Sequence, residues 1–234
     1  MGPYQTFSRR SSGRELTVPY NRTMLIDKAG LPFIGGALIL AVGVGFLFGR
    51  TWAVPFLILA AFFLFFFRDP ERTIPDGPDL VVSPADARIM VAGDMAGPGA
   101  PPGQWQTVSM FLSPVDVHVN RTPVAGTVTR VEYHPGTFLP AYRKEAGELN
   151  EWTEVWFDRP GGPVVARQIV GILARRIVCR LEAGDRVTLG QRYGVMKFGS
   201  RMDLFLPLSA TIHVKVGEKV VGGETPIATL SPER

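Results

Sequence analysis

The sequence predicts a mainly β protein: a compact, barrel-sandwich-like β domain preceded by an N-terminal hydrophobic helical hairpin. Three observations support this. Residues 31–67 carry a single charge, Arg50, and nine of the fifteen phenylalanines. From Arg68 onward helical periodicity gives way to short Val-rich runs broken by Gly and Pro. A Gly-acid pattern then recurs at a spacing of 33 residues near the C-terminus.

The apolar segment comes first. Gly49, Arg50 and Thr51 divide it into runs of about 18 and 16 apolar residues. At ~1.5 Å per residue each reaches roughly 24–28 Å, just short of a ~30 Å bilayer core. A tight transmembrane hairpin and a wedge dipping into one leaflet both satisfy this length. Either returns the chain to its starting side. The basic flanks, with Arg9, Arg10, Arg14, Arg22 and Lys28 before it and Arg68 and Arg72 after, place that side in the cytoplasm. A buried hairpin of a soluble protein is the alternative. The remaining chain is too short and too strand-like to cover so much Phe and Leu.

The β domain is expected over residues 68–234, after a basic arm at 1–30 and the membrane-associated hairpin at 31–67. Candidate strands are 79–83, 87–92, 106–112, 116–120, 126–133, 152–157, 163–170, 176–181, 203–206, 211–216 and 226–230. Residues 95–104 read as a loop, and 141–151 as a short helix or flap. The repeat pairs GDRVTLGQ at 184–191 with GEKVVGGE at 217–224. Glycine opens each turn, and Val187 and Val220 mark the strand that follows. This resembles the paired hairpins of biotinyl/lipoyl-type domains.

Composition excludes several functions. Residues 68–234 hold 19 basic and 19 acidic side chains, so the β domain has no positive excess for nucleic acid. One cysteine, Cys179, rules out an internal disulfide framework. No His pair has metal-site spacing, and no metal is expected.

Among the polar residues, Asp116-Val117-His118-Val119-Asn120 alternates with period two. As a strand it turns Asp116, His118 and Asn120 to one face, suited to acid–base work or simply solvated. His134 sits in a turn and His213 in an alternating run. Asp86 lies in the turn SPADA, where local hydrogen bonding is the usual role. Gly199-Ser200 is, by itself, an ordinary turn dipeptide.

Taken together, VVSPADARI, MFLSPVDVHVNRTPVAG, YHPGTFLPA, RQIVGILARRIVC and YGVMKFGSRMDLFLP occur in an order that resembles the phosphatidylserine decarboxylase proenzymes, in their short bacterial membrane-associated form. KFGSRMDLFLP is the most specific of these. The resemblance covers roughly residues 20–230.

That resemblance implies self-cleavage between Gly199 and Ser200, giving a β chain of 1–199 and an α chain of 200–234 that stay together as a heterodimer. Ser200 would become a covalent pyruvoyl group, the cofactor for converting phosphatidylserine to phosphatidylethanolamine and CO2. Such a group replaces the Schiff-base lysine of a pyridoxal enzyme, a role that none of the five lysines announces. Asp86 and His118 would form the unit that draws the proton from Ser200. Larger family members carry a second His where this chain has Arg121, and a Gly often stands at Ala87. Arg121 and Arg130 are candidates for the headgroup phosphate. The substrate partner would be a membrane phospholipid, met by a domain on the cytoplasmic side of the cell membrane; further association of the heterodimers is left open. Two alternatives remain: a membrane-tethered adaptor without catalysis, and decarboxylation of another serine-headgroup lipid.

Overall fold

The computed structural model describes residues 26–97, 99–172, 177–197 and 199–231. Residues 1–25 of the expected basic arm lie outside these. After a turn at Lys28–Gly30, helix α1 spans Leu31–Phe48 and helix α2 spans Arg50–Phe66. Pro32 falls in the first turn of α1, where a missing N–H leaves no intrahelical bond unmade. Gly49 alone separates the helices, so Arg50 and Thr51, expected in the break, open α2 instead. The stretch Lys28–Phe48 is long and apolar enough to cross a membrane, while Arg50–Phe66 is apolar but shorter.

The hairpin is bare at its tip and buried at its foot. Val42 is 74% exposed and Phe46 89%, whereas Phe66 and Phe67 are buried against Val117, Val119 and Val195. The core hairpin of a soluble protein would be covered along its length.

Among the described residues the β domain forms three antiparallel sheets. The largest runs in the order β13 (Lys219–Val220), β2 (Ala87–Met95), β3 (Gln106–Leu112), β11 (Ser200–Leu206), β7 (Val164–Ile169), β6 (Trp152–Asp158), β5 (Gly126–His134), β9 (Arg186–Val187). A second sheet joins β1 (Leu80–Val82), β14 (Pro226–Thr229) and β12 (Thr211–Ile212). The third joins β4 (Val119–Arg121), β10 (Arg192–Met196) and β8 (Ile177–Cys179). They share one apolar core that includes Met110, Leu112, Phe157, Tyr193, Met202 and Leu204. A single helical turn, α3 (Ala146–Leu149), interrupts the strands.

The 33-residue repeat is structural. The Gly184 N–H donates to the Val128 carbonyl at 2.7 Å, and the Gly217 N–H to the Ile89 carbonyl at 2.9 Å. Asp185 and Glu218 each accept from the backbone N–H three residues earlier, at 2.9 and 3.0 Å. Each turn therefore fastens its short strand, carrying Val187 or Val220, to β5 or β2. A companion match went unread in the sequence: Ser83-Pro84-Ala85 before β2 corresponds to Thr122-Pro123-Val124 before β5. Gly223 N–H donates to Ser83 and Gly190 N–H to Thr122 in the same way.

Differences from the expected strands have local causes. β10 was missed because Gly194 interrupts its alternation, yet the backbone of Val178 packs against that glycine, leaving no room for a side chain. β11 begins at Ser200 rather than at residue 203. The run 116–120 is strand only from Val119, because Asp116 caps a turn by accepting from the Ser113 N–H at 2.8 Å.

Candidate active site

Ser200 opens β11 opposite Leu112, the last residue of β3. Alternation along β11 sends Ser200, Met202 and Leu204 to the core face and Arg201, Asp203 and Phe205 to the other. Ser200 is fully buried, and its hydroxyl has no hydrogen-bond partner among the described residues. Gly199 before it has φ +69°, a left-handed conformation that favours glycine. The Gly199 carbonyl oxygen lies against Gly171, where any Cβ would collide with it. Gly171 thus meets the one carbonyl that a Ser200 attack requires with backbone and no side chain.

His118 sits in the loop between β3 and β4 and is 1% exposed, so its segment is not the solvated face that alternation allowed. Its Nδ1 lies 2.9 Å from the Asp116 carbonyl oxygen. A carbonyl only accepts, so Nδ1 carries the proton and the neutral ring keeps its Nε2 lone pair. Nε2 is buried without a partner among the described residues. Burial pushes the imidazole down to about 4, the Asp116 carbonyl opposes this, and the Arg68 charge adds to the depression. At neutral pH His118 is therefore an uncharged base with a free lone pair.

Two further residues belong here. Gln168 on β7 pairs across the sheet with Met202, which puts it on the Ser200 face. Its Nε2 donates to Asn120 Oδ1 at 2.7 Å, while Gln168 Oε1 and Asn120 Nδ2 stay unpartnered. Ser200, His118, Asn120 and Gln168 thus each keep a buried polar atom without a partner among the described residues. The signal for Gln168 was a lone amide within the otherwise apolar-flanked run VVARQIV.

Asp86 is held elsewhere. Its carboxylate takes the Arg72 guanidinium at 2.8 Å and the Gly222 N–H at 2.8 Å. No hydrogen bond joins it to His118. Asp86 and Asp116 both oppose the lowering of the Arg68 guanidinium by burial, and the Arg68 charge in turn lowers the His118 imidazole. Burial raises the Asp116 carboxyl, and Asp86 adds to this.

Residues 59–228 match the family model described as phosphatidylserine decarboxylase. The chain belongs to the phosphatidylserine decarboxylase family. It is 40% identical to the phosphatidylserine decarboxylase proenzyme of Nitrosomonas europaea over 91% of its own length and 99% of that relative. For the proenzyme of Symbiobacterium thermophilum the identity is 44%, over 89% and 97% of the two chains. For that of Nitratidesulfovibrio vulgaris it is 43%, over 91% and 98%.

The remaining candidates have other partners or settings. Arg121, where larger family members carry a second His, is buried and ion-paired to Asp69 at 2.9 Å. Arg130 lies over Trp156 and beside Glu132, partly exposed. His134 stacks on Trp152, and His213 meets Thr229 Oγ1 at 2.7 Å. Burial raises the Cys179 thiol, as for a packing residue. A cavity of about 340 Å³ does exist, but on the Arg201–Asp203 face, lined also by Thr107, Lys144, Arg167 and Phe205. The sheet separates it from the Ser200 hydroxyl.

Proposed function

We propose that this chain is a self-processing phosphatidylserine decarboxylase that cuts itself between Gly199 and Ser200 and works with a pyruvoyl group made from Ser200. The observation that carries this is the fully buried, unpartnered Ser200 hydroxyl beside a left-handed Gly199, in a chain of this family. A buried hydroxyl without a partner costs roughly 1–3 kcal/mol, a cost with no structural purpose in a turn. A tethered adaptor would have no use for it.

The residues present fit a group formed at this position. His118, Asn120 and Gln168 each keep a buried polar atom without a partner among the described residues, and Gly171 brings no side chain against the Gly199 carbonyl. Once formed, the group supplies the electron sink for the carbanion left by loss of CO2. The chain's own residues make it possible. His118 Nε2 takes the proton from Ser200 Oγ, and Oγ attacks the Gly199 carbonyl carbon. The Gly199–Ser200 amide bond breaks as its nitrogen is protonated, leaving an ester; β-elimination would release chain 1–199 as its carboxylate, and hydrolysis by water would expel the Ser200 nitrogen as ammonia and leave the keto group on chain 200–234. Asp86 acts on His118 through the charge cluster it shares with Arg68, Arg72 and Asp116. After maturation His118 remains to move a proton at the substrate Cα.

The two chains stay together because β11 lies between β3 and β7, strands of the other chain. The hairpin, residues 31–67, holds domain 68–234 at the bilayer where the lipid headgroup lies. The flanking positive charges favour the cytoplasmic face of the inner membrane.

The test is the intact mass of purified protein. The expected result is two chains of 199 and 35 residues, the smaller with a blocked N-terminus. Ser200→Ala should remain one chain without decarboxylase activity. A wild-type chain that stays uncut yet decarboxylates phosphatidylserine overturns the proposal.

A further inference from the structure

We propose that Phe66, at the foot of the apolar hairpin, is a positioning residue for His118, so that the hairpin is a wall of the reaction centre as well as an anchor. This rests on reading His118 as the base for Ser200. The two rings are 4.2 Å apart between centroids and inclined by 33°. Phe66 is 0% exposed and His118 1%. The imidazole has one hydrogen bond, from Nδ1 to the Asp116 carbonyl. That bond fixes one edge of the ring, and the Phe66 face restrains its rotation about that edge.

Phe66 is itself held on several sides. It meets Phe67 edge-on at 5.0 Å, and Val117, Val119 and Val195 complete its apolar surroundings. Phe67 stacks on Phe33 of α1 at 5.5 Å, and its carbonyl accepts from the Asp27 N–H at 2.8 Å. Beyond it, the Arg68 guanidinium donates to the Val115 carbonyl at 2.7 Å, in the loop that carries His118. Both hairpin helices and the His118 loop are therefore tied together within a few residues. The tip of the same hairpin makes no comparable packing, with Phe46 89% exposed.

The wall also sets the protonation state. A phenyl ring excludes water from one face of the imidazole and disfavours its charged form. The charge that reaches His118 is that of Arg68 after the hairpin, on which Asp86 and Asp116 act in turn, and Lys197 after β10 stands on the far side of the phenylalanine cluster. The Lys197 ammonium lies over the Phe33 ring at 4.8 Å. Truncating Phe66 lets water reach the imidazole and moves its titration up toward the ordinary histidine value of about 6.5.

The experiment follows self-cleavage of the newly made full-length chain in detergent micelles, as a function of pH, for wild type, Phe66→Ala, Phe66→Leu, Phe46→Ala and His118→Ala. Phe66→Ala should slow cleavage at neutral pH about tenfold or more and shift its acid limb upward by a pH unit or more. Phe66→Leu keeps the bulk without the flat ring and should shift the limb less, in the same direction. Phe46→Ala should leave rate and limb within twofold of wild type. Wild-type cleavage with an unmoved limb in both Phe66 variants overturns the proposal. Slowed cleavage in Phe66→Ala with an unmoved limb in Phe66→Leu also overturns it, since that is general destabilisation. If His118→Ala cuts at the wild-type rate, the reading of His118 as base has failed instead.

Discussion

The two faces of strand β11 bury polar side chains in opposite ways. On the outward face Arg201 pairs with Asp203 at 2.7 Å and also donates to Ser109 Oγ, and Arg167 is ion-paired to Glu154. Ser200 and Gln168 on the core face, and the buried His118 and Asn120, keep polar atoms without a partner among the described residues. Structural charges in a low-dielectric interior are stable only when paired. Groups that must exchange protons or meet a reacting carbonyl cannot be fully engaged beforehand. The cavity lies on the satisfied face, and the chemistry proposed for Ser200 belongs to the unsatisfied one.

One residue blurs the contrast: Thr107 Oγ1, on the cavity face, is also buried without a partner. Ser200 and Thr107 are thus two orphan hydroxyls on opposite faces, and substitution separates them. Ser200→Ala should abolish cleavage altogether, as seen by denaturing electrophoresis. His118→Ala should come close to this, and Asp86→Asn should add little to it, since groups acting as one unit lose activity non-additively. Equal, independent and mild losses in the two single variants would separate Asp86 from the site.

The next effects concern folding rather than cleavage. Arg167→Ala leaves Glu154 buried and unpaired, with an expected loss of about 3–5 kcal/mol in chemical denaturation. Replacing both partners with apolar residues should recover much of that. Protein that folds in either case should still cut itself, because this pair serves the satisfied face.

Acid should act through the open face. His118 binds its proton more weakly folded, at about 4, than unfolded, near 6.5. Between these values the unfolded chain holds more protons, so stability falls as pH drops through the window. The loss should approach on the order of 3 kcal/mol below the lower value. His118→Gln should flatten that part of the stability–pH curve; an unchanged slope would show that other groups set it. The smallest effect belongs to Thr107→Val. It removes an unpartnered hydroxyl at nearly constant shape and should leave cleavage untouched and stability within about 1 kcal/mol.

Much of this protein follows from the sequence because it depends on neighbours along the chain. The hairpin is legible in residues 31–67, since the absence of charge over two helical runs is a local property. The turns at Gly184 and Gly217 are legible for the same reason: each acid accepts from a backbone N–H three residues away. Gly199-Ser200, His118 and Asp86 were picked out by their flanking motifs, without any account of how they face one another. Tertiary structure alone decided the rest. It gave Asp86 to Arg72 and Gly222, brought Gln168 to Asn120 across 48 residues, and set Phe66 against His118. Alternation said that one side of residues 116–120 was polar but not whether water or protein would cover it. That depends on which distant surface folds over the segment, and here it was the foot of the hairpin. The Asp116 carbonyl then holds the proton on Nδ1, while burial lowers the basicity of the ring and leaves Nε2 open.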